Sequence, residues 1–69
     1  MNKIWRLDPD NLAAYTEDHE VMRKIRRSYP DFIVMARYQK GGELIAIQYR
    51  VPSARKRSAR NLLGVNVDR

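Results

Sequence analysis

The chain has 69 residues, no cysteine, and 14 Lys or Arg against 8 Asp or Glu, which gives a formal net charge of +6. This length fits one small domain over residues 1–69, whose stability is marginal because so short a chain buries only about 60% of its unfolded surface. Without cysteine the chain can form neither disulfides nor thiolate zinc sites. No apolar run approaches the roughly 20 residues that span a bilayer, and residues 1–7 lack the apolar stretch of a signal peptide. We therefore expect a cytoplasmic protein with no membrane partner.

The amino-terminal third predicts mainly helix. Residues 3–7 alternate weakly in polarity and predict at most a short strand or ordered arm. The following Asp-Pro-Asp-Asn at 8–11 is typical of a helix start, because Asp caps a helix and Pro suits its first position. Apolar residues then keep helical spacing as far as Tyr29, and Pro30 ends the helix. The spacing fits one helix over 9–28 or two helices broken near Thr16, and it leaves both alternatives open.

A β-hairpin is the clearest local signal in the sequence. Strand-like residues at 32–40 and 43–51 flank Gly41-Gly42, and two glycines supply the positive φ angles of a two-residue hairpin turn. Without a bulge, this turn pairs Lys40 with Glu43. The same register places eight apolar or aromatic side chains on one face: Phe32, Val34, Ala36, Tyr38, Ile45, Ile47, Tyr49 and Val51.

The carboxyl-terminal segment predicts a last helix. Pro52 ends the second hairpin strand, Ser53 is expected to cap a helix over 54–63, and Gly64 suits the position just after it. The tail at 66–69 adds a short strand or frays. The predicted fold is a small two-layer α+β domain in which an amino-terminal helix or helices and the last helix cover the hairpin.

Charge is distributed unevenly along the chain. Residues 1–22 hold two cations and five anions, whereas residues 23–69 hold twelve cations and three anions. Ten of the 14 cations are Arg, whose planar fork binds phosphate in two-pronged fashion. This asymmetry indicates a polyanionic partner for the second part of the chain.

The candidate phosphate-binding residues fall in two clusters. The first is at the start of the last helix, where cations oppose the helix dipole and are therefore hard to explain by folding alone: Arg55, Lys56, Arg57 and Arg60. The second is at the end of the preceding helix, where the dipole itself favours cations: Arg23, Lys24, Arg26 and Arg27. If the clusters share a face with Arg50 or Arg37 between them, they form a stripe along a phosphate backbone.

No residue constellation predicts catalysis, a metal site or a cofactor. His19 has no second ligand at metal spacing, and no serine has a His/Asp partnership. Pro30-Asp31, the hairpin and Gln48-Tyr49-Arg50 resemble the layout of a large Mg²⁺-dependent nuclease superfamily. However, the second acid is replaced by Gln48 and the lysine by Arg50, which cannot lose its proton. We therefore expect a protein that is not an enzyme and has no small-molecule substrate.

Two functions remain. The first is a small regulatory nucleic-acid-binding module that grips DNA or RNA phosphates with its Arg-rich carboxyl-terminal helix. The alternative is a protein-interaction module or small regulator that binds a larger protein, or a second copy of itself, through the exposed edges of its hairpin.

Overall fold

Five strands in one mixed sheet organise the protein, with two helices packed against them. The computed structural model describes residues 1–68. The elements are β1 (Asn2–Asp8), β2 (Asn11–Thr16), α1 (His19–Ser28), β3 (Ile33–Lys40), β4 (Glu43–Pro52), α2 (Lys56–Leu63) and β5 (Val67–Asp68). The strand order is β3-β4-β2-β1-β5, and all neighbours are antiparallel except the parallel pair β1–β5. Arg69, the last residue of the predicted tail, lies outside the described residues.

The predicted architecture of amino-terminal helices on a two-stranded hairpin is wrong. Within the described residues no helix precedes His19, and the region 9–16 forms a turn followed by β2 at the centre of the sheet. Both alternatives for residues 9–28 therefore fail. The break near Thr16 is real, but it separates a strand from α1, and α1 is capped by the Asp18 side chain, which accepts a hydrogen bond from the Glu20 N–H.

Two ambiguous signals explain this error. Asp-Pro-Asp-Asn favours a tight turn as strongly as a helix start, and here the Asp8 carboxylate accepts hydrogen bonds from the backbone N–H of Asp10 at 2.8 Å and from the Asn11 side chain at 3.2 Å. Strand β2 is also buried on both faces, because Leu12, Ala13 and Ala14 are all inaccessible to solvent. A strand of this kind has no polar–apolar alternation to reveal it.

The hairpin forms at Gly41-Gly42, but its register differs from the unbulged pairing. Lys40 pairs with Glu43 and Val34 with Tyr49 as expected, whereas the middle of the hairpin is shifted by one residue, so that Tyr38 pairs with Ala46 and Arg37 with Ile47. Two compensating bulges cause the shift, one between Tyr38 and Gln39 and the other between Val34 and Ala36. The prediction that eight apolar residues share one face therefore fails for the residues in the middle of the hairpin.

The carboxyl-terminal helix is shorter than predicted. Residues Ser53–Arg55 form a 3-10 turn, and the α-helix begins only at Lys56. Ser53 does not cap it. Its hydroxyl donates to the Pro9 carbonyl at 3.0 Å and accepts from Arg6 Nη1 at 3.0 Å. The helix ends as expected at Gly64, which has a left-handed φ of 68°.

Both helices pack on the same face of the sheet. The side chains of two residues paired across neighbouring strands point to the same side of the sheet, and successive side chains along one strand alternate between its two sides. The row Ile4–Ala14–Tyr49–Val34 therefore faces one way, and the row Trp5–Ala13–Arg50–Ile33 faces the other. The buried core joins the first side to Met22, Ile25 and Leu63 of the helices. We call this side the helix side and the other the open face.

A hydrogen-bonded junction at Thr16 joins four elements. The Thr16 side chain is fully buried. Its hydroxyl donates to Asn2 Oδ1 at 2.6 Å and accepts from the Asp18 N–H at 3.0 Å, and the Asn2 amide donates to the Leu63 carbonyl at 3.0 Å. The end of β2, the start of β1, the entry to α1 and the end of α2 are thereby fixed together.

This junction predicts a specific loss of stability. Thr16→Val keeps the side-chain volume but leaves the Asp18 N–H and Oδ1 of the Asn2 side chain unpaired. The free energy of unfolding should therefore fall by about 1–3 kcal/mol. Thr16→Ser keeps the hydroxyl and should lose less. Urea denaturation of the two variants measures the difference, and equal losses would contradict the role of the hydroxyl.

Candidate nucleic-acid interface

The strand register sorts the charged residues between the two sides of the sheet. Of the 13 cations at positions 1–68, the helix side carries ten: Arg6, Arg23, Lys24, Arg26, Arg27, Arg37, Arg55, Lys56, Arg57 and Arg60. The open face carries Lys3, Lys40 and Arg50, where four anions outnumber them: Asp8, Glu17, Glu43 and Asp68. The described part of the chain is thus basic on one side and nearly neutral on the other.

The two predicted basic clusters meet at one end of the helix layer. Arg55, in the turn before α2, places its guanidinium 5.7 Å from the centroid of the Tyr29 ring. Its Nε also donates to Asp31 Oδ2 at 2.7 Å. Tyr29 is the residue that ends α1. The basic last turn of α1, with Arg26 and Arg27, therefore lies beside the basic start of α2. We call these two turns together the basic junction.

Arg55 has a positioning role within this junction. The ion pair holds the pKa of the Asp31 carboxyl below its usual range, chiefly through the hydrogen bond from Arg55. In the same way, Asp31 raises the pKa of Arg55. The second Asp31 oxygen, Oδ1, is buried without a partner among the described residues. Much of the Arg55 charge is therefore matched within the protein, and the free charge at the start of α2 resides on Lys56 and Arg57.

The start of α2 is open to an anion. Lys56 and Arg57 are exposed, no side chain caps the helix, and its first turn contains no acid. The Lys56 N–H already donates to the Ser53 carbonyl, so the attraction for phosphate comes from the positive end of the helix dipole. Here the dipole adds to the field of the surrounding cations.

The other predicted residues lie at different places. Arg60 donates to Asn66 Oδ1 at 2.7 Å and lines a shallow groove with Lys56, Trp5 and Arg6. Arg23 pairs with Glu20 at 3.1 Å on the exposed side of α1, where Lys24 is also exposed. Arg50 lies on the open face between Ala13 and Ile33. The structure therefore does not bring Arg50 together with the helix cations.

Sequence reasoning missed Arg6 as a site candidate. Its Nη1 donates to the carbonyls of Asp8 and Pro9, each at 3.2 Å, and to Ser53 Oγ at 3.0 Å. It thus ties the β1–β2 turn to the turn before α2. No local pattern marks this residue, because its partner Ser53 is 47 positions away in the chain.

The aromatic side chains form two separate groups. Tyr29, Phe32 and Tyr49 pack in the core with successive ring centroids 5.1 and 6.4 Å apart. Tyr15 and Tyr38 meet edge to face at 5.8 Å on the open face. The expectation that Tyr38 faces the core is wrong, since the bulged register turns it outward and leaves it 41% exposed.

Neither the remaining features of the described residues nor any known protein identifies the site. Residues 1–68 contain no group of three or more His, Cys, Asp or Glu placed to hold a metal ion. No helix in that part of the chain is long and apolar enough to cross a membrane. Comparison with protein-family models, with curated proteins and with solved structures finds no significant match.

The ion pair at the basic junction predicts a pH effect. In Arg55→Gln the Asp31 carboxyl should titrate nearer the usual value of about 4, whereas in Arg57→Gln it should keep its lowered pKa. Because the folded-state pKa is lowered, the pair stabilises the fold above the unfolded-state pKa, and this stabilisation is lost as the pH falls through the folded-state value. Carboxyl-carbon NMR titration of the three proteins tests this, and an unchanged Asp31 pKa in Arg55→Gln would contradict the assignment.

Proposed function

We propose that the protein binds nucleic acid through its helix side. The observation that carries this proposal is the placement of ten of the 13 described cations on that side, against three on the open face. Concentrating cations on one surface raises the local potential far above what the net charge alone would produce. A surface of this kind attracts a polyanion from solution and orients it.

A phosphate backbone fits this surface better than a compact anion does. The long dimension of the molecule is 36 Å, and that length of duplex axis carries roughly 20 phosphate charges. Cations spread over two helices and two strands can therefore each meet a phosphate. Eight of the ten are Arg, at positions 6, 23, 26, 27, 37, 55, 57 and 60, and the Arg fork matches phosphate geometry.

The residues divide into contacts and supports. Lys56 and Arg57 at the open start of α2 are the proposed central phosphate contacts, with Arg26 and Arg27 beside them in the basic junction. Arg55 supports them through Asp31 and Tyr29. Arg23, Lys24 and Arg60 extend the surface, and Arg50 takes no part because it lies on the open face. The proposed role is binding of DNA or RNA without catalysis, in the cytoplasm.

A pair of charge-matched double variants tests this proposal. Lys56→Gln with Arg57→Gln removes two cations from the helix side, and Lys3→Gln with Arg50→Gln removes two from the open face. Each phosphate contact contributes about one unit to the slope of log affinity against log salt. The first variant should therefore bind a short duplex more weakly, with a slope about two units shallower, while the second keeps the wild-type slope.

Fluorescence anisotropy at several salt concentrations, with a duplex and a single strand, measures these slopes. Equal loss in both double variants would mean that net charge alone causes binding. A wild-type affinity that does not change with salt would reject the phosphate contacts altogether.

A second candidate function is self-association through the hairpin, and exposed apolar side chains favour it. Five of the seven large apolar residues exposed within positions 1–68 lie on β3 or β4: Ile33, Val34, Met35, Tyr38 and Ile45. Strand β3 is also an edge of the sheet. Concentrated apolar surface of this kind typically marks a protein interface. Copies would approach through the open face of this region, where Ile33 and Tyr38 lie, because their helix sides repel one another.

Sedimentation of the whole chain tests the second candidate. Ile45→Lys should shift a concentration-dependent dimer to monomer, because it places a charge in the exposed apolar surface of the hairpin. Leu7→Lys is the matched control, since Leu7 is similarly exposed at 40% but lies outside the hairpin. A wild-type chain that stays monomeric at millimolar concentration would rule out this function.

A further inference from the structure

A groove with an apolar floor lies on the helix side between α1 and the β3–β4 hairpin. Its volume is about 500 Å³, within the range of roughly 300–1,000 Å³ that small-molecule sites occupy. Phe32, Val34, Leu44 and Tyr49 contribute to its floor, and the side chains of Arg26 and Arg37 stand at its rim. The groove is thus assembled from α1, the loop after it and both strands of the hairpin.

The groove is open because two helices do not cover five strands. Helix α1 packs mainly against the central strand β2, and α2 packs against β1, β2 and β4, so neither helix makes extensive contact with the edge strand β3. Val34 is on the helix side of β3 and yet remains 38% exposed, and Leu44, which lines the same groove nearer the turn, is only partly buried. Apolar surface in this groove is therefore left for a ligand to cover.

Unpartnered polar groups line the same groove. Arg26 and Arg37 make no ion pair or side-chain hydrogen bond with any residue of the described chain. The Tyr49 side chain is only 4% exposed, and its hydroxyl has no hydrogen-bond partner within residues 1–68. Burial raises the pKa of the Tyr49 phenol, opposed in part by nearby Arg37, so at neutral pH the hydroxyl is a neutral donor. Arg26 and Arg37 are both exposed to solvent, so their guanidinium groups are free to bind an acidic ligand.

We propose that this groove binds a small amphipathic carboxylate. The apolar body of the ligand covers Val34, Leu44 and Phe32, and its carboxylate accepts hydrogen bonds from Arg37 and from the Tyr49 hydroxyl, with Arg26 adding charge. A phosphodiester does not fit this pattern, because it would leave the apolar floor uncovered. A purely apolar ligand does not fit either, because it would bury the guanidinium groups without an acceptor.

This site goes beyond the proposed nucleic-acid contacts, whose centre is at Lys56 and Arg57. It also goes beyond the expectation from the sequence, which included no small-molecule substrate. The lining residues come from four separate places in the chain, and Arg37 reaches the helix side only because of the hairpin bulges. Local sequence patterns therefore do not predict this site.

Isothermal titration with decanoate and with decanol tests the proposal. The whole chain should bind decanoate saturably and decanol at least tenfold more weakly, because only decanoate offers an acceptor to Arg37. Arg37→Gln should weaken decanoate binding at least tenfold, and the conservative Tyr49→Phe by about threefold or more. Arg50→Gln is the charge-matched control on the open face and should bind decanoate as the wild type does.

Absence of saturable decanoate binding would overturn the proposal, as would equal binding by Arg37→Gln and Arg50→Gln. Equal affinity for decanol would reject the carboxylate contacts. Duplex binding by the Lys56→Gln, Arg57→Gln double variant, measured in parallel, separates the two proposals, because that variant keeps the groove intact. Decanoate binding that persists in it, whatever happens to duplex binding, supports an independent site.

Discussion

The buried hydroxyl of Thr16 is the contact on which the arrangement of this small chain depends. A domain of this size has a narrow stability margin, and without cysteine it has no disulfide to hold its elements. Thr16 and Asn2 instead connect both ends of the β1–β2 hairpin to the start of α1 and the end of α2. Because the strand ends and helix ends are fixed at one point, both helices are held on the same face of the sheet. That single placement makes the protein chemically two-sided.

The cations at the start of α2 and at the end of α1 lie close together on the helix side, although each repels the others. The basic start of α2 opposes its own helix dipole, and it lies beside the basic end of α1. Asp31 and the Tyr29 ring stabilise Arg55 at the point of closest approach. The adjacent cations remain exposed to solvent, where the repulsion between them is screened.

Sequence reasoning recovered those features that depend on a few neighbouring residues. The Gly41-Gly42 turn, the end of the helix before Pro30 and the left-handed Gly64 each follow from local backbone chemistry. It failed at β2, because a central strand made of Leu12, Ala13 and Ala14 has neither alternation nor strong β-propensity. The sequence also did not predict which of the candidate site residues lie together in the fold. The neighbourhood of Arg55 and Tyr29, and the separation of Arg50 from both clusters, depend on strand order, which no local pattern contains.

The paired bulges of the hairpin show how a small departure from regular register can create a site. In the unbulged register, Val34, Ala36 and Tyr38 share the core face and Arg37 points away from it. The bulge at Met35 leaves Val34 on the helix side and turns the residues after it, so that Arg37 faces the helix side and Tyr38 the open face. The second bulge, near Ile45, restores the pairing of Lys40 with Glu43 beside the turn.

The hairpin thereby keeps its turn and its outer end while exchanging a core aromatic for a cation. Bulges of this kind commonly re-aim a side chain near functional sites, and here the exchange places a guanidinium beside the buried ring of Tyr49, in the groove between α1 and the hairpin.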